Sequence, residues 1–177
     1  MHLKDVEMKL VCELIRNTRK SDRELAKLIG VSQPTVSRIR ARLEKEGVIS
    51  YTGVPDLRKL GFQIIAVTFG NSRSGHHSEA IAAKTKAFVD DHANLIFVSS
   101  GRGFNSDRIV ISVHKSYSDY AEYVRQIRAE WEGFMNMTDS FLISLNSDNI
   151  LRPISLKYIA DCLEKEGLSK KPAANSH

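Results

Sequence analysis

Residues Ser32 to Lys45 place short side chains beside long cations at helical spacing. With Val36, Ile39 and Leu43 turned inward, Pro34, Ser37, Arg38, Ala41 and Lys45 point outward and Arg42 lies at the edge. That is the face of a helix able to enter a DNA groove: small residues permit close approach, while Arg reaches a guanine edge or a phosphate. Gln33 and Thr35 fall in the first turn, the part of such a helix that meets bases. Arg40 sits toward the protein flank, where Glu44 four residues on makes a plain surface ion pair the expectation, worth about 0.3–0.5 kcal/mol.

The stretch Gly101-Arg102-Gly103-Phe104-Asn105-Ser106-Asp107 supports two readings. It is either a hairpin whose glycines supply positive φ, or a place where the backbone approaches a small polar ligand, with Arg102 pairing a carboxylate and Asp107 an ammonium. It is no nucleotide loop, because the third glycine is missing and the segment lies between strands. His76 and His77 are adjacent and so point about 100° apart on a helix, without the Cys or second His that a metal set needs. Asp90-Asp91-His92 reads as a helix end, and no Ser-His-Asp set can be assembled. Tyr117, Tyr120 and Trp131 share a helical face and read as core. Cys12 and Cys162 each fall in a helical apolar pattern without CxxC spacing, which makes both reduced packing residues. No metal, cofactor or catalytic site is expected.

The elements that must position these residues can be read from the pattern. The chain has 177 residues, 42% hydrophobic and 27% charged, with net charge +5, which suits one domain or two small ones and argues against disorder. Residues 1–53 hold 11 Lys and Arg against 7 Asp and Glu, and the remainder 15 against 14. The basic excess lies in the first third and points toward nucleic acid. No run approaches the ~20 apolar residues of a membrane span and the first residues lack a secretion signal's apolar core, so a cytoplasmic protein with no membrane partner is expected.

Three helices open the chain. The first carries Val6, Leu10 and Leu14. The second starts at a capping box, Ser21 with Glu24, and stops at Gly30. The third has Ser32 as N-cap and Pro34 in its first turn, and closes at Gly47. Val48 to Val54 has the β-branched and aromatic content of a short wing or connecting strand. Beyond it the period alternates: a strand near 63–69, a helix near 78–91, strands near 95–99 and 108–114, a helix near 117–131 and a strand near 138–145. The order β-α-β-β-α-β predicts a ferredoxin-like sandwich. A last helix near 153–166 is followed by a loose tail, Lys170 to His177. The expected class is therefore α+β: a helix-turn-helix domain over 1–55, the sandwich over 56–150, and a C-terminal helix and tail over 151–177.

Asp22 to Ala26, Gly30-Val31-Ser32, Arg38 to Glu44 and Gly47-Val48-Ile49 resemble the helix-turn-helix of the Lrp/AsnC (leucine-responsive, feast/famine) regulators. The linker ending in Leu60-Gly61 and the βαββαβ unit resemble that family's connection and its sensing, oligomerising domain, over roughly residues 3–146. The resemblance implies a sequence-specific transcription regulator on double-stranded DNA, homodimeric or assembled further to a tetramer or octamer. DNA contacts would come from Ser21, Arg23, Ser32, Gln33, Pro34, Thr35, Ser37, Arg38, Ala41, Arg42 and Lys45. It also implies an amino-acid-like effector between subunits near Gly101, Arg102, Gly103, Asn105, Ser106 and Asp107. The hairpin departs from the family's Gly-x-Tyr-Asp pattern in spacing and in having Phe for Tyr. An enzyme of the sirohaem decarboxylase type shares the two-domain plan and is the competing expectation; those enzymes carry a His-x-Tyr-Asn-like segment where this chain has Arg102-Gly103-Phe104-Asn105.

Overall fold

The computed structural model describes residues 3–72, 79–148 and 150–169. In chain order its elements are α1 (Asp5–Arg16), α2 (Asp22–Ile29), α3 (Gln33–Lys45), β1 (Ile64–Ser72), α4 (Glu79–Asp91), β2 (Leu95–Gly103), β3 (Ser106–His114), α5 (Tyr117–Glu130), β4 (Met135–Ser144), a 3₁₀ turn (Leu156–Tyr158) and α6 (Ile159–Ser169). The chain divides into two compact units, Met1–Val54 with Arg152–His177, and Pro55–Leu151. No described helix is long and apolar enough to cross a membrane.

In the first unit the apolar faces of α1, α2 and α3 meet in one cluster, where Leu10, Leu14, Leu25, Val36 and Leu43 are fully buried. Truncating any of these leucines to Ala should cost about 2–5 kcal/mol. Helix α6 lies against α1, where Arg16 forks onto Glu164 at 2.7 and 2.6 Å and reaches Asp161 at 2.8 Å. Exposed ion pairs contribute about 0–1 kcal/mol, so this fork orients α6 more than it stabilises it. Cys12 is fully buried as expected, but Cys162 is exposed. Ala160 takes the fully buried place on α6, and a residue two positions on points well round the helix from it.

The strand expected over 48–54 does not form. Its first residues are used otherwise: the N–H groups of Val48 and Ile49 both point to the Leu43 carbonyl, at 2.9 and 3.4 Å, and both side chains pack on the three-helix cluster. The β-branched content serves burial at the end of α3, and no strand pairs with the segment among the described residues.

The second unit has the expected β-α-β-β-α-β order, with sheet order β2-β3-β1-β4 and every pair antiparallel. Tyr120, Tyr123 and Ile127 of α5 and Trp131, which caps its end, pack with Ala66 and with Phe88 of α4 over one sheet face, and Phe88 meets Trp131 edge-on at 5.5 Å. Tyr117, expected in this core, is 66% exposed; as the first residue of α5 it leans on Tyr120 at 6.1 Å. His92 closes α4, its Nδ1–H donating to the Phe88 carbonyl at 2.8 Å and its ring stacking on that of Phe88, which is the helix end read from Asp90-Asp91-His92. His76, His77 and the tail from Lys170 lie outside the described residues.

The opposite sheet face is also apolar. The register aligns Phe97, Ile111, Val67 and Phe141 in one row across all four strands. Beside it, Ile65, Val113 and Ile143 are covered by Leu57, Phe62 and Ile150. Ile96, Phe97 and Phe141 are left 51%, 50% and 67% exposed.

His114 is fully buried between Tyr120 and Tyr123 and hydrogen-bonds Ser112 at 2.8 Å. Burial holds its pKa below the usual histidine value, against the opposing pull of Asp119. A depressed histidine costs stability as pH falls, because the unfolded chain takes up a proton that the folded one refuses. Wild-type stability should therefore decline relative to His114→Gln as pH drops from about 6.5 toward 5, read from denaturation midpoints of the two proteins across that range.

Candidate nucleic-acid interface

The outer face of α3 is built from its caps upward. Ser21 accepts from the Glu24 N–H while the Glu24 carboxylate takes the Ser21 N–H at 2.7 Å, which sets the start of α2. Gly30 stops that helix at φ 75°, a left-handed conformation costing a side-chain-bearing residue about 1 kcal/mol or more. Ser32 accepts from Thr35 N–H at 3.4 Å, and Pro34 fills the first turn of α3, where a missing N–H does no harm. The hydroxyls of Ser21 and Ser32 are thus engaged in capping.

With Val36 and Leu43 fully buried, α3 exposes Gln33, Pro34, Arg38, Ala41, Arg42 and Lys45. The cations on this helix then separate into two sets. Arg40 is tied down: it reaches Asp22 and Glu44, each at 3.1 Å, donates to the Tyr51 hydroxyl at 3.0 Å, and lies over the Tyr51 ring at 5.1 Å. Asp22 also accepts from Ser37 Oγ at 2.5 Å, so one carboxylate locks α2 to two residues of α3, and Ser37 points its hydroxyl at the protein. Arg42 pairs with Glu7 and more loosely with Glu46. By contrast Arg23, Arg38 and Lys45 are exposed with no acidic partner among the described residues. The expected Arg40–Glu44 pair is present; Asp22, Tyr51 and Glu7, which complete the two networks, were not expected, since pairs 11 to 35 residues apart leave no periodic signal.

Glu7 is buried to 7% exposure and accepts from the Lys4 N–H at 3.0 Å. The Arg42 guanidinium and this N–H hold its carboxyl below the usual range. A depressed carboxylate stabilises the fold above its unfolded pKa, and the contribution is lost as pH falls through the folded value. The stability gap between wild type and Glu7→Gln should accordingly be open at pH 7 and close below about pH 4, measured by denaturant unfolding.

In the second unit, β2 and β3 join through a two-residue turn in which Phe104 and Asn105, not the glycines, take positive φ, 50° and 51°. Gly101 and Gly103 lie on the strand with open space around them, which corrects the expectation that they supply the turn's conformation; a two-residue hairpin demands left-handed residues at its two central positions. Phe104 is 84% exposed and tilts against Phe69 at 5.2 Å. Asp107 accepts from the Ser72 N–H at 3.0 Å and its hydroxyl at 3.3 Å, and Arg102 is exposed. The candidate effector residues therefore share one hairpin, with Asp107 already anchored.

Comparison with known proteins gives residues 3–50 as a match to the winged helix-turn-helix DNA-binding family model. An HTH-type transcriptional regulator of Pyrococcus furiosus is 29% identical over 131 residues, covering 72% of this chain and 82% of that protein. Among solved structures, B. subtilis LrpC superposes with TM-score 0.64 at 20% identity, over 86% of this chain and all (100%) of that one. A transcriptional regulator of Neisseria meningitidis solved as its L-Met complex superposes with TM-score 0.69 at 14% identity, over 84% of this chain and 92% of that one. At these identities the likeness to both solved proteins is one of fold.

Proposed function

Because the chain is a helix-turn-helix transcription regulator with the fold of the Lrp/AsnC proteins, we propose that it binds double-stranded DNA as a homodimer or larger assembly and reads sequence through the outer face of α3. The observation that carries the reading is the separation of cations on α3: Arg40 and Arg42 are held by carboxylates, whereas Arg38 and Lys45 are exposed and unpaired among the described residues. Arg38, one turn into the helix, contacts a base edge. Gln33, Pro34 and Thr35 meet the groove in the first turn, Ala41 permits close approach, and Lys45 and Arg23 take phosphates, while Arg42 stays with Glu7 at the edge. Ser21, Ser32 and Ser37 act by setting helix starts and the α2–α3 lock. The DNA-binding domain is residues 1–55, the sensing and assembly domain 56–150, and residues 151–177 add the last helix. Selecting bound fragments from genomic DNA tests this: they should share an inverted repeat with half-sites about 10 base pairs apart or a multiple of that.

The sandwich takes a small polar effector at the Gly101–Asp107 hairpin, close to a subunit boundary; the L-Met bound to the Neisseria protein supports an amino acid as its class. Arg102 meets the carboxylate and Asp107 the ammonium, beside Gly101, Gly103, Asn105 and Ser106. A ligand that prefers one assembly by about 1–3 kcal/mol would suffice for control. A thermal-shift screen of amino acids should find one that raises Tm in wild type and not in Asp107→Asn. If no amino acid shifts Tm at millimolar concentration, the hairpin has a structural role alone.

A further inference from the structure

We propose that the second unit has a separate binding site for a small monocarboxylate with a short apolar body, in the cavity between its helices and its sheet. The cavity measures about 50 Å³, above the ~10–15 Å³ that a single water needs. Its walls are apolar, with Phe88, Val98, Val110, Ile127 and Met135 among them, while Ser72 and Arg108 also line it. Met135 is unbranched and adaptable, so the space can enlarge around a guest without moving the backbone.

The polar groups on this wall are unusual in kind. Trp131 lines the cavity at 6% exposure, and its indole N–H has no hydrogen-bond partner among the described residues. The buried Tyr123 hydroxyl lies beside Ser112, whose own hydroxyl bonds His114 at 2.8 Å and keeps a lone pair for the phenol. Arg108 is half-buried, donates from Nε to Ser72 Oγ at 3.2 Å, and has no acidic partner among the described residues. Buried polar side chains are nearly always satisfied, and the Trp131 N–H and the Arg108 guanidinium are matched by one kind of guest. An indole N–H and a guanidinium only donate. The guest must therefore bring acceptors and little else that is polar. A carboxylate offers about four acceptor positions and pairs with Arg in a fork, and the remaining wall suits a short hydrocarbon chain.

This site lies on the helix-covered side of the sheet. It calls for no ammonium group and no second subunit, which sets it apart from the hairpin ligand, although Ser72 joins the two by accepting from Arg108 and donating to Asp107.

The protein has a single tryptophan, so intrinsic fluorescence reports on the cavity directly. Titrating the full-length protein with isovalerate should give a saturable change, and isoamyl alcohol, of the same shape without the carboxylate, should give none. Arg108→Gln should weaken isovalerate binding about tenfold or more, and Val98→Phe, which fills the cavity, should abolish it while circular dichroism shows the fold retained. No saturable response, an equal response to the alcohol, or a response untouched by Arg108→Gln would each overturn the proposal. Should Val98→Phe fail to fold, the Arg108→Gln comparison decides alone.

Discussion

Phe97→Asp combined with Phe141→Asp should convert the assembled protein into monomers at micromolar concentration. The two rings end a row, Phe97, Ile111, Val67 and Phe141, that crosses the uncovered face of the sheet, and they are 50% and 67% exposed in the isolated chain. Helices α4 and α5 cover only the other face, and a contiguous apolar patch of this sort is rarely left to water. A buried aromatic anchor at an interface is worth about 2 kcal/mol or more, and two-fold symmetry counts each substitution twice. A loss of at least about 4 kcal/mol, roughly a thousandfold in Kd, is expected even without full additivity. Because both side chains are already exposed in the single chain, each subunit should stay folded. Sedimentation velocity or light scattering reads the result; an assembly that survives the double substitution would place the subunit contact elsewhere.

The second large effect concerns the division of labour on α3. Arg38→Ala should remove discrimination between a specific site and random duplex, about 1–3 kcal/mol for a bidentate guanine contact. Lys45→Ala should weaken every sequence alike and reduce the salt slope by about one unit, since one phosphate fewer releases its counterion. The geometry behind the distinction is that Arg38 stands one turn into the helix and Lys45 two turns further along, where a helix entering by its N-terminal end has risen toward the backbone. Titrating both variants against specific and random duplexes at several salt concentrations checks it. Equal losses on both duplexes for Arg38→Ala would leave that residue an electrostatic role only.

Local chemistry made the first unit readable. A Ser with Glu three residues on, a Gly after the last apolar residue and a Pro in the first turn each act within one helical turn, so Ser21, Gly30, Ser32 and Pro34 are legible from sequence and stand where they were expected. The β-α-β-β-α-β order was legible for the same reason: the switch between periods of two and 3.6 is a property of each segment. The inventory of what each cation does was not. Arg42 meets Glu7 across 35 positions, and Arg40 meets Asp22 and Tyr51; such pairs depend on how helices cross and leave no trace in spacing. Composition misled twice. Val48 to Val54 has strand-forming residues but spends Val48 and Ile49 on the helical core, and the glycines beside Phe104 drew attention from the two residues that make the turn. The C-terminal helix was foreseen, whereas its seat on α1 through Arg16, Asp161 and Glu164 was not, because the partners lie at opposite ends of the chain.

The central claim, that α3 reads sequence, is tested most directly by the ratio of affinities for a selected genomic site and a random duplex of equal length, measured with the wild-type protein at physiological salt. The account predicts a preference of about a thousandfold or more, within the range of specific DNA-binding proteins, together with a steep salt dependence on both duplexes. A ratio near one across all salt concentrations, or no binding to either duplex, would contradict it.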